Sequence, residues 1–320
     1  MSRTQTEWFP LACLTLAMML WASSFIAFKL AIRSYDPFVA TFGRMAVASL
    51  CFVFLRKGFT GNMYQKGDGK YILFMALCEP CLYFLFEAKA IANTSASQAG
   101  MVTAMLPLMV AVGARLFLGE VIRRKTLAGF VLAVIGVCWL SFGSEVAEGA
   151  PRPVLGNLLE FAAMVCATGY TLTLKKLSAR YNPLFLTAMQ AFIGALFFLP
   201  SLWLAPNGAP AHFELVPVLS IVYLGVFITV GAYGLYNYGV SRIPANQASA
   251  FVNLIPVFTL ILGWLLLGER FNSVQYLGAM LVFIGVFLSQ SKSAPAKILL
   301  PAELAPTPAG GAAPEFARDR

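Results

Sequence analysis

Three polar side chains share one stripe of an apolar segment near residue 80. Tyr83 and Glu87 follow Glu79 at four and eight residues, a spacing that places all three on one face of a helix. Pro80 lacks an N–H group, so we expect a loosened turn beside the Glu79 carboxylate. That carboxylate is predicted to bind a ligand or to carry a proton. The alternative is a structural hydrogen bond or ion pair with a neighbouring helix.

Charged groups in other apolar segments suggest an ion pair. Arg44 and Glu160 lie in two different apolar segments at a similar depth, each about 10 Å from the predicted outer end of its helix. We expect Arg44 to pair with Glu160 or with Glu79, as an outer gate, as an anchor for a substrate carboxylate, or only as a structural pair. Glu87, nearer the end of its helix, could instead be solvated or paired with Lys89 or Arg33.

Neutral polar and aromatic side chains extend this candidate site. Gln98 and Gln247 lie near the starts of two apolar segments. They are expected either to line a substrate pathway or to make interhelical hydrogen bonds. Trp21 and Tyr83 are amphipathic aromatics inside apolar segments and not only at the interfaces where such residues are enriched. They suit the wall of a site for an apolar or amphipathic substrate, and ordinary helix packing is the alternative.

The composition places all these residues in a membrane. Of 320 residues, 59% are hydrophobic and 12% are charged, against about 45–50% and about 25% in soluble domains. The six cysteines lie in apolar runs, where neither a disulfide framework nor a zinc ribbon is expected, and Cys78 and Cys81 are interpreted as packing residues. The single histidine, His212, lies in a predicted loop. No metal and no cofactor is therefore expected. The formal net charge of +9 is interpreted as an orientation signal, so no nucleic-acid partner is expected either.

Ten apolar runs are each long enough to cross the bilayer as a helix. We therefore predict an all-α integral membrane protein. The runs cover residues 9–29, 37–55, 70–88, 95–118, 126–144, 154–174, 183–205, 214–238, 244–268 and 272–291. The first run has no small-x-small cleavage site after it, so it is interpreted as a span and not as a signal peptide.

Basic residues predict the orientation. With the N-terminus in the cytoplasm, sixteen of the 23 Lys and Arg residues lie on the cytoplasmic side and five on the other, which follows the positive-inside rule. We expect a multi-pass protein of the cell inner (plasma) membrane with both termini cytoplasmic. Residues 1–8 form a short cytoplasmic N-terminus, and residues 292–320, rich in Ala and Pro, form a disordered cytoplasmic tail.

The two halves of the chain are related. A shift of 149 residues superposes Gln98 on Gln247, Pro107 on Pro256 and the Leu-Gly-Glu sequence 118–120 on 267–269, and a shift of 146 superposes Lys29 on Lys175 and Pro37 on Pro183. Five spans per half is an odd number, so the repeats, 9–144 and 154–291, must be inverted around an extracytoplasmic linker, 145–153. The halves differ at Trp21, matched by Ala167, and at Arg44, matched by Gln190.

Several of these motifs resemble a known family. The Trp21–Phe25 sequence, Glu79-Pro80, the stretch from Ala96 to Pro107 and the two Leu-Gly-Glu sequences are similar to the EamA branch of the drug/metabolite transporter superfamily. The resemblance covers about residues 9–291 and implies a membrane transporter of amino acids, amphipathic metabolites or drugs. Glu120 and Glu269 are expected to be structural, with Arg123 or Arg124 as the partner of Glu120 and Arg270 as the partner of Glu269.

The leading hypothesis is a secondary transporter that exports a small metabolite, amino-acid-like or amphipathic, by alternating access. The sequence contains no Gly-rich loop of the Walker type, so protons are the candidate coupling ion, through Glu79 or Glu160; facilitated diffusion is the alternative. A channel-like or scaffold protein and, less favoured, an intramembrane enzyme are the other hypotheses. Monomer and homodimer are both left open.

Overall fold

The structure, a computed structural model, describes residues 3–55, 65–118, 124–143, 149–204, 214–243 and 245–289. Within these ranges the chain forms ten apolar helices. They are α1 Arg3–Ala31, α2 Pro37–Phe54, α3 Gly69–Asn93, α4 Ala96–Phe117, α5 Arg124–Phe142, α6 Pro153–Leu177, α7 Pro183–Leu204, α8 Leu215–Arg242, α9 Gln247–Leu267 and α10 Ser273–Ser289. Eight have the length and composition to cross a membrane, and α5 and α10 contribute shorter apolar segments. The predicted all-α fold with ten helices is confirmed.

The starts of α2 and α7 are built in the same way in both halves. The Asp36 carboxylate accepts a hydrogen bond from the backbone N–H of Phe38, and the Asn182 side-chain oxygen accepts one from Leu184. In each case a proline occupies the first helical position, where its missing N–H costs nothing. The duplicated Tyr-x-Pro sequences therefore mark equivalent helix starts.

The ends of α3 and α8 are also equivalent, and both lie beyond the predicted limits of 88 and 238. Lys29 donates to the backbone carbonyls of Ile91 and Thr94 at the end of α3 and to that of Gly149. Lys175 donates to the carbonyls of Val240 and Ile243 at the end of α8. Each lysine supplies donors to helix-end carbonyls that have no partner within the helix. Thr94 also bonds Asn157 near the start of α6, so Lys29 lies at the end of the bundle where α6 begins and Lys175 at the end where α6 stops.

Glycines allow α5 and α10 to pack backbone against backbone. A Cβ atom on Gly136 would lie 2.8 Å from the carbonyl oxygen of Gly278, and one on Gly285 would lie 2.6 Å from that of Gly129. The repeat superposes Gly129 on Gly278 and Gly136 on Gly285, so the two contacts are copies of each other. The small residues of these helices therefore serve a contact within one chain.

The sequence Leu-Gly-Glu at the end of α9 makes a contact that the sequence did not predict. Gly268 adopts a left-handed conformation with φ of 68° and ends the helix. The Glu269 carboxylate accepts hydrogen bonds from the backbone N–H groups of Ala96 and Ser97, at 2.9 and 2.8 Å. The expectation that Glu269 pairs with Arg270 is wrong, because the positive end of α4 takes that role. Glu120 and His212 lie outside the described residues.

The outer surface of the bundle is apolar. Phe117, Phe142 and Phe287 are each more than 80% exposed, whereas Arg44, Glu79 and Glu160 are buried. A soluble protein would leave such large apolar side chains exposed only at a binding surface, but lipid chains cover them in a bilayer. The polar groups therefore lie inside a multi-pass membrane protein.

Candidate functional site

Seven of the ten described helices, from both halves of the chain, line a central cavity. Its volume is about 40 Å³, which is enough for about three water molecules. The described residues that line it are Trp21, Ser24, Phe25, Arg44, Glu79, Tyr83, Phe84, Glu87, Thr103, Leu106, Met164, Ala167, Tyr170, Thr171, Tyr233, Tyr236, Val252 and Ile255. Four of the predicted site residues, Trp21, Arg44, Glu79 and Tyr83, are among them.

Most of these lining residues occupy matched positions in the two halves. The two repeat shifts superpose seven pairs of lining residues: Trp21 and Ala167, Ser24 and Tyr170, Phe25 and Thr171, Phe84 and Tyr233, Glu87 and Tyr236, Thr103 and Val252, and Leu106 and Ile255. The cavity therefore lies on the pseudo-two-fold axis that relates the repeats. Secondary transporters built from inverted repeats place their substrate sites at this interface.

Glu79 lies at a break in α3. Its backbone, at φ −150° and ψ 116°, leaves the helical region inside a π-helical segment, Leu77–Leu82, which agrees with the loosened turn predicted at Pro80. The carbonyl oxygen of Glu79 accepts a hydrogen bond from Gln190 Nε2 at 3.0 Å, and the carboxylate accepts one from the hydroxyl of Tyr233. Helix α7 thus holds the Glu79 backbone, and helix α8 holds its carboxylate at the cavity wall.

Arg44 pairs with neither of its predicted partners. Its Nη1 atom lies 3.8 Å from Oε2 of Glu87, and its guanidinium lies 4.1 Å from the centre of the Phe84 ring. Pairing of Arg44 with Glu160 or Glu79 is therefore a wrong prediction: a similar depth in the membrane does not place two side chains on facing sides of their helices. The Arg44 guanidinium is instead enclosed by a ring and a carboxylate of α3.

Glu87 is a buried part of the cavity wall. Besides the Arg44 guanidinium, its carboxylate accepts a hydrogen bond from the Tyr83 hydroxyl at 2.8 Å, and the residue is 5% exposed. The alternatives of solvation or a local pair with Lys89 or Arg33 are wrong for this structure. The i, i+4 spacing of Tyr83 and Glu87 brings their polar atoms together, as expected of residues on one helical face.

Glu160 lies behind the cavity wall. It is fully buried, and neither carboxylate oxygen has a hydrogen-bond partner among the described residues. Met164, one helical turn further along α6, lines the cavity. A negative charge on Glu160 would have no compensating donor here, and burying such a charge is costly. A proton or a cation must therefore neutralise the group in this conformation.

Gln98 and Gln247 do not line the cavity. The Gln98 side-chain oxygen accepts a hydrogen bond from Asn157 Nδ2 at 2.9 Å, and Asn157 Nδ2 also contacts Ser141 at 2.9 Å. This buried network connects α4 to α6 and α5, which fits the interhelical alternative for Gln98. The Gln247 side chain is exposed. The expectation of twin amides along a pathway does not describe this structure.

Aromatic rings form a continuous part of the cavity wall. The Trp21 ring lies 5.0 Å from that of Tyr233 and 4.7 Å from that of Tyr236, and the Phe84 ring lies 6.3 Å from that of Tyr233. The Trp21 indole Nε1 has no hydrogen-bond partner among the described residues. Neither Phe84 nor Tyr233 was among the predicted site residues, although the repeat superposes one on the other.

The comparisons with known proteins agree with this architecture. The model of the EamA-like transporter family matches residues 8–142 and 154–290. A solved crystal structure superposes on 90% of this chain and 97% of its own with a TM-score of 0.62, at 17% sequence identity. At that identity the likeness supports the fold alone.

Similar sequences are also transporters by name. An uncharacterised transporter, YetK, of Bacillus subtilis is 29% identical over 287 residues, covering 87% of this chain and 86% of the relative. A probable amino-acid metabolite efflux pump of Escherichia coli is 26% identical, covering 86% and 92%. A probable terminal-alkyne amino-acid exporter of Streptantibioticus cattleyicolor is 26% identical, covering 86% and 91%.

The family model covers both halves of the chain, on either side of the segment between α5 and α6. The family is one of transporters and not of enzymes, and membership implies a small-molecule substrate. With its ten helices, its duplicated halves and a cavity on the axis between them, this chain belongs to the EamA-like transporter family.

Proposed function

We propose that this protein is a secondary transporter that exports a small amino-acid-like or amphipathic metabolite from the cytoplasm by alternating access. The central cavity carries the proposal, because it combines polar groups and aromatic rings at the interface of the two halves. The names of the relatives, an efflux pump and an exporter, favour export. The excess of basic residues on one side supports a plasma-membrane protein with both termini in the cytoplasm.

The proposed units are the repeats 9–144 and 154–291, which rock against each other around the cavity, with 145–153 as the connection outside. In this scheme the substrate and a proton use the Glu79 carboxylate in turn, with Glu160 as a second group able to hold a proton. Glu79 fits this role because its carboxylate lines the cavity and lies at a broken turn of α3. Discontinuous transmembrane helices form the substrate and ion sites of many transporters.

The test is transport by purified protein in liposomes. A pooled panel of amino acids, amines and amphipathic metabolites is offered to wild type and to Glu79→Gln, on both sides of neutral pH, and accumulation is read by mass spectrometry. We expect at least one solute to accumulate with wild type in a pH-dependent manner. Glu79→Gln should lose at least about tenfold in rate, since hydrogen bonds to charged groups contribute about 1.5–3 kcal/mol.

The matched control is Glu214→Gln, the same chemical change at an exposed residue outside the cavity. Its rate should stay within about twofold of wild type, because exposed charges contribute little. Full activity and unchanged pH dependence in Glu79→Gln would remove this residue from the cycle. Ion currents far above carrier turnover would replace the transporter with a channel.

A further inference from the structure

The charges around the cavity do not balance. Among the described residues, Arg44, Glu79 and Glu87 are the charged groups of the lining, and Glu160 lies directly behind it. Arg44 is 3.8 Å from Glu87, so these two charges compensate each other. No described lysine or arginine forms an ion pair with Glu79 or Glu160. The site therefore has more acidic groups than its own cation can neutralise.

The aromatic wall favours a cation for the same place. The faces of aromatic rings attract ammonium and guanidinium groups within about 6 Å, and the Phe84 ring already holds the Arg44 guanidinium at 4.1 Å. The Trp21 ring packs against the rings of both Tyr233 and Tyr236, and the Tyr233 hydroxyl bonds the Glu79 carboxylate. A carboxylate flanked by tryptophan and tyrosine rings offers both interactions that an ammonium group makes.

An anionic group finds a free donor in the described lining only in the neutral indole N–H of Trp21, and no free cation. Arg44, the cation of the described lining, is engaged by Glu87 and Phe84. Releasing it for a substrate carboxylate would leave Glu87 buried without its cation, which is costly.

We propose that the group recognised by this transporter is an amine cation, and that the carboxylate of an amino acid is not required. The ammonium group donates to Glu79 and lies against the rings of Trp21 and Tyr236, while the rest of the substrate extends away when the cavity opens. The transported class is then amines, including those that correspond to amino acids without their carboxyl group. This inference rests on the proposed transport function and specifies its substrate class.

The test is calorimetric binding to the purified protein in detergent at neutral pH. Three probes share a phenyl group and differ in charge: phenethylamine, phenylalanine and 3-phenylpropanoate. We expect phenethylamine to bind at least about tenfold more tightly than phenylalanine, because the amino acid also has to bury an unpaired carboxylate. The anion should not bind. Any result in which the amine does not bind more tightly than the amino acid overturns the inference.

Substitutions in the cavity lining show where the amine binds. Glu79→Gln should weaken phenethylamine binding at least about tenfold, whereas Glu214→Gln should change it less than about twofold. Trp21→Phe should retain more affinity than Trp21→Leu, because only a ring attracts the cation. Thermal unfolding of each variant verifies that it is folded. Equal binding by Glu79→Gln and wild type would overturn the assignment. Transport of a different solute from the panel would leave the proposed transport function in place.

Discussion

The two halves of the chain contribute matched positions to the cavity wall, but different residue types occupy them. Trp21 matches Ala167 and Glu87 matches Tyr236, yet all four side chains line the cavity. The ends of the helices show the opposite behaviour. The matched positions 29 and 175 are both lysine, and each lysine donates to carbonyls at the end of a helix. Duplication thus defined where the cavity lies, and divergence defined the chemistry of its wall.

This difference has a physical origin. A helix end always leaves carbonyl groups without an intrahelical partner, so both halves need a donor there. The cavity is a single site, and a second copy of the Arg44–Glu87 pair would bury two more charges at the same place. The second half has Gln190 at the position that matches Arg44, and Gln190 bonds the Glu79 carbonyl instead. Its role is to support the site and not to line it.

Changing Arg44 to the residue of the other half should have the largest effect on stability. In Arg44→Gln the Glu87 carboxylate stays buried without its cation, and removing one partner of a buried pair costs about 3–5 kcal/mol. We expect a loss of about 3 kcal/mol in the free energy of unfolding and a loss of transport. Denaturant unfolding in detergent micelles measures the first and the liposome assay the second.

The double variant Arg44→Gln with Glu87→Gln is the control for this experiment. It removes both charges, and the Tyr83 hydroxyl can still donate to the amide oxygen that replaces the Glu87 carboxylate. Most of the lost stability should return, because no uncompensated charge remains. If Arg44→Gln alone were as stable as wild type, the pair would not be what neutralises Glu87.

The shared lysines should have smaller and nearly parallel effects. Lys29→Met and Lys175→Met each remove a donor from helix-end carbonyls, at a cost of about 1–3 kcal/mol. Lys29→Met should cost more, since Lys29 contacts three carbonyls and Lys175 two. The same unfolding measurement compares them. A larger loss in Lys175→Met would show that these contacts do not determine the stability of the ends.

Hydropathy predicted the ten helices because crossing the hydrocarbon takes about 20 apolar residues, and such runs are visible in any sequence. It placed the ends of α3 and α8 too early, at 88 and 238, whereas the helices reach Asn93 and Arg242. The donors that satisfy these ends come from Lys29 and Lys175, more than 60 residues away. A local window does not contain that information.

The cavity lining was predictable where a residue is unusual on its own. Glu79, Tyr83, Arg44 and Trp21 stand out as polar or amphipathic residues inside apolar segments, and all four line the cavity. The partner of Arg44 was not predictable from depth in the membrane. Depth gives the position of a residue along the helix axis but not the side of the helix to which its side chain points. The matched aromatic positions carried a further signal that could have identified Phe84 and Tyr233 as lining residues.

Exchanging apolar residues at matched positions should have the smallest effect. Leu106 and Ile255 superpose in the repeat and both line the cavity. The double swap Leu106→Ile with Ile255→Leu keeps volume and polarity, so the free energy of unfolding should fall by less than about 1.5 kcal/mol. Transport should stay within about twofold of wild type, since less than about 0.5 kcal/mol of barrier height is involved. A loss of transport comparable to that of Arg44→Gln would mean that even the apolar positions had become specific to their own half of the wall.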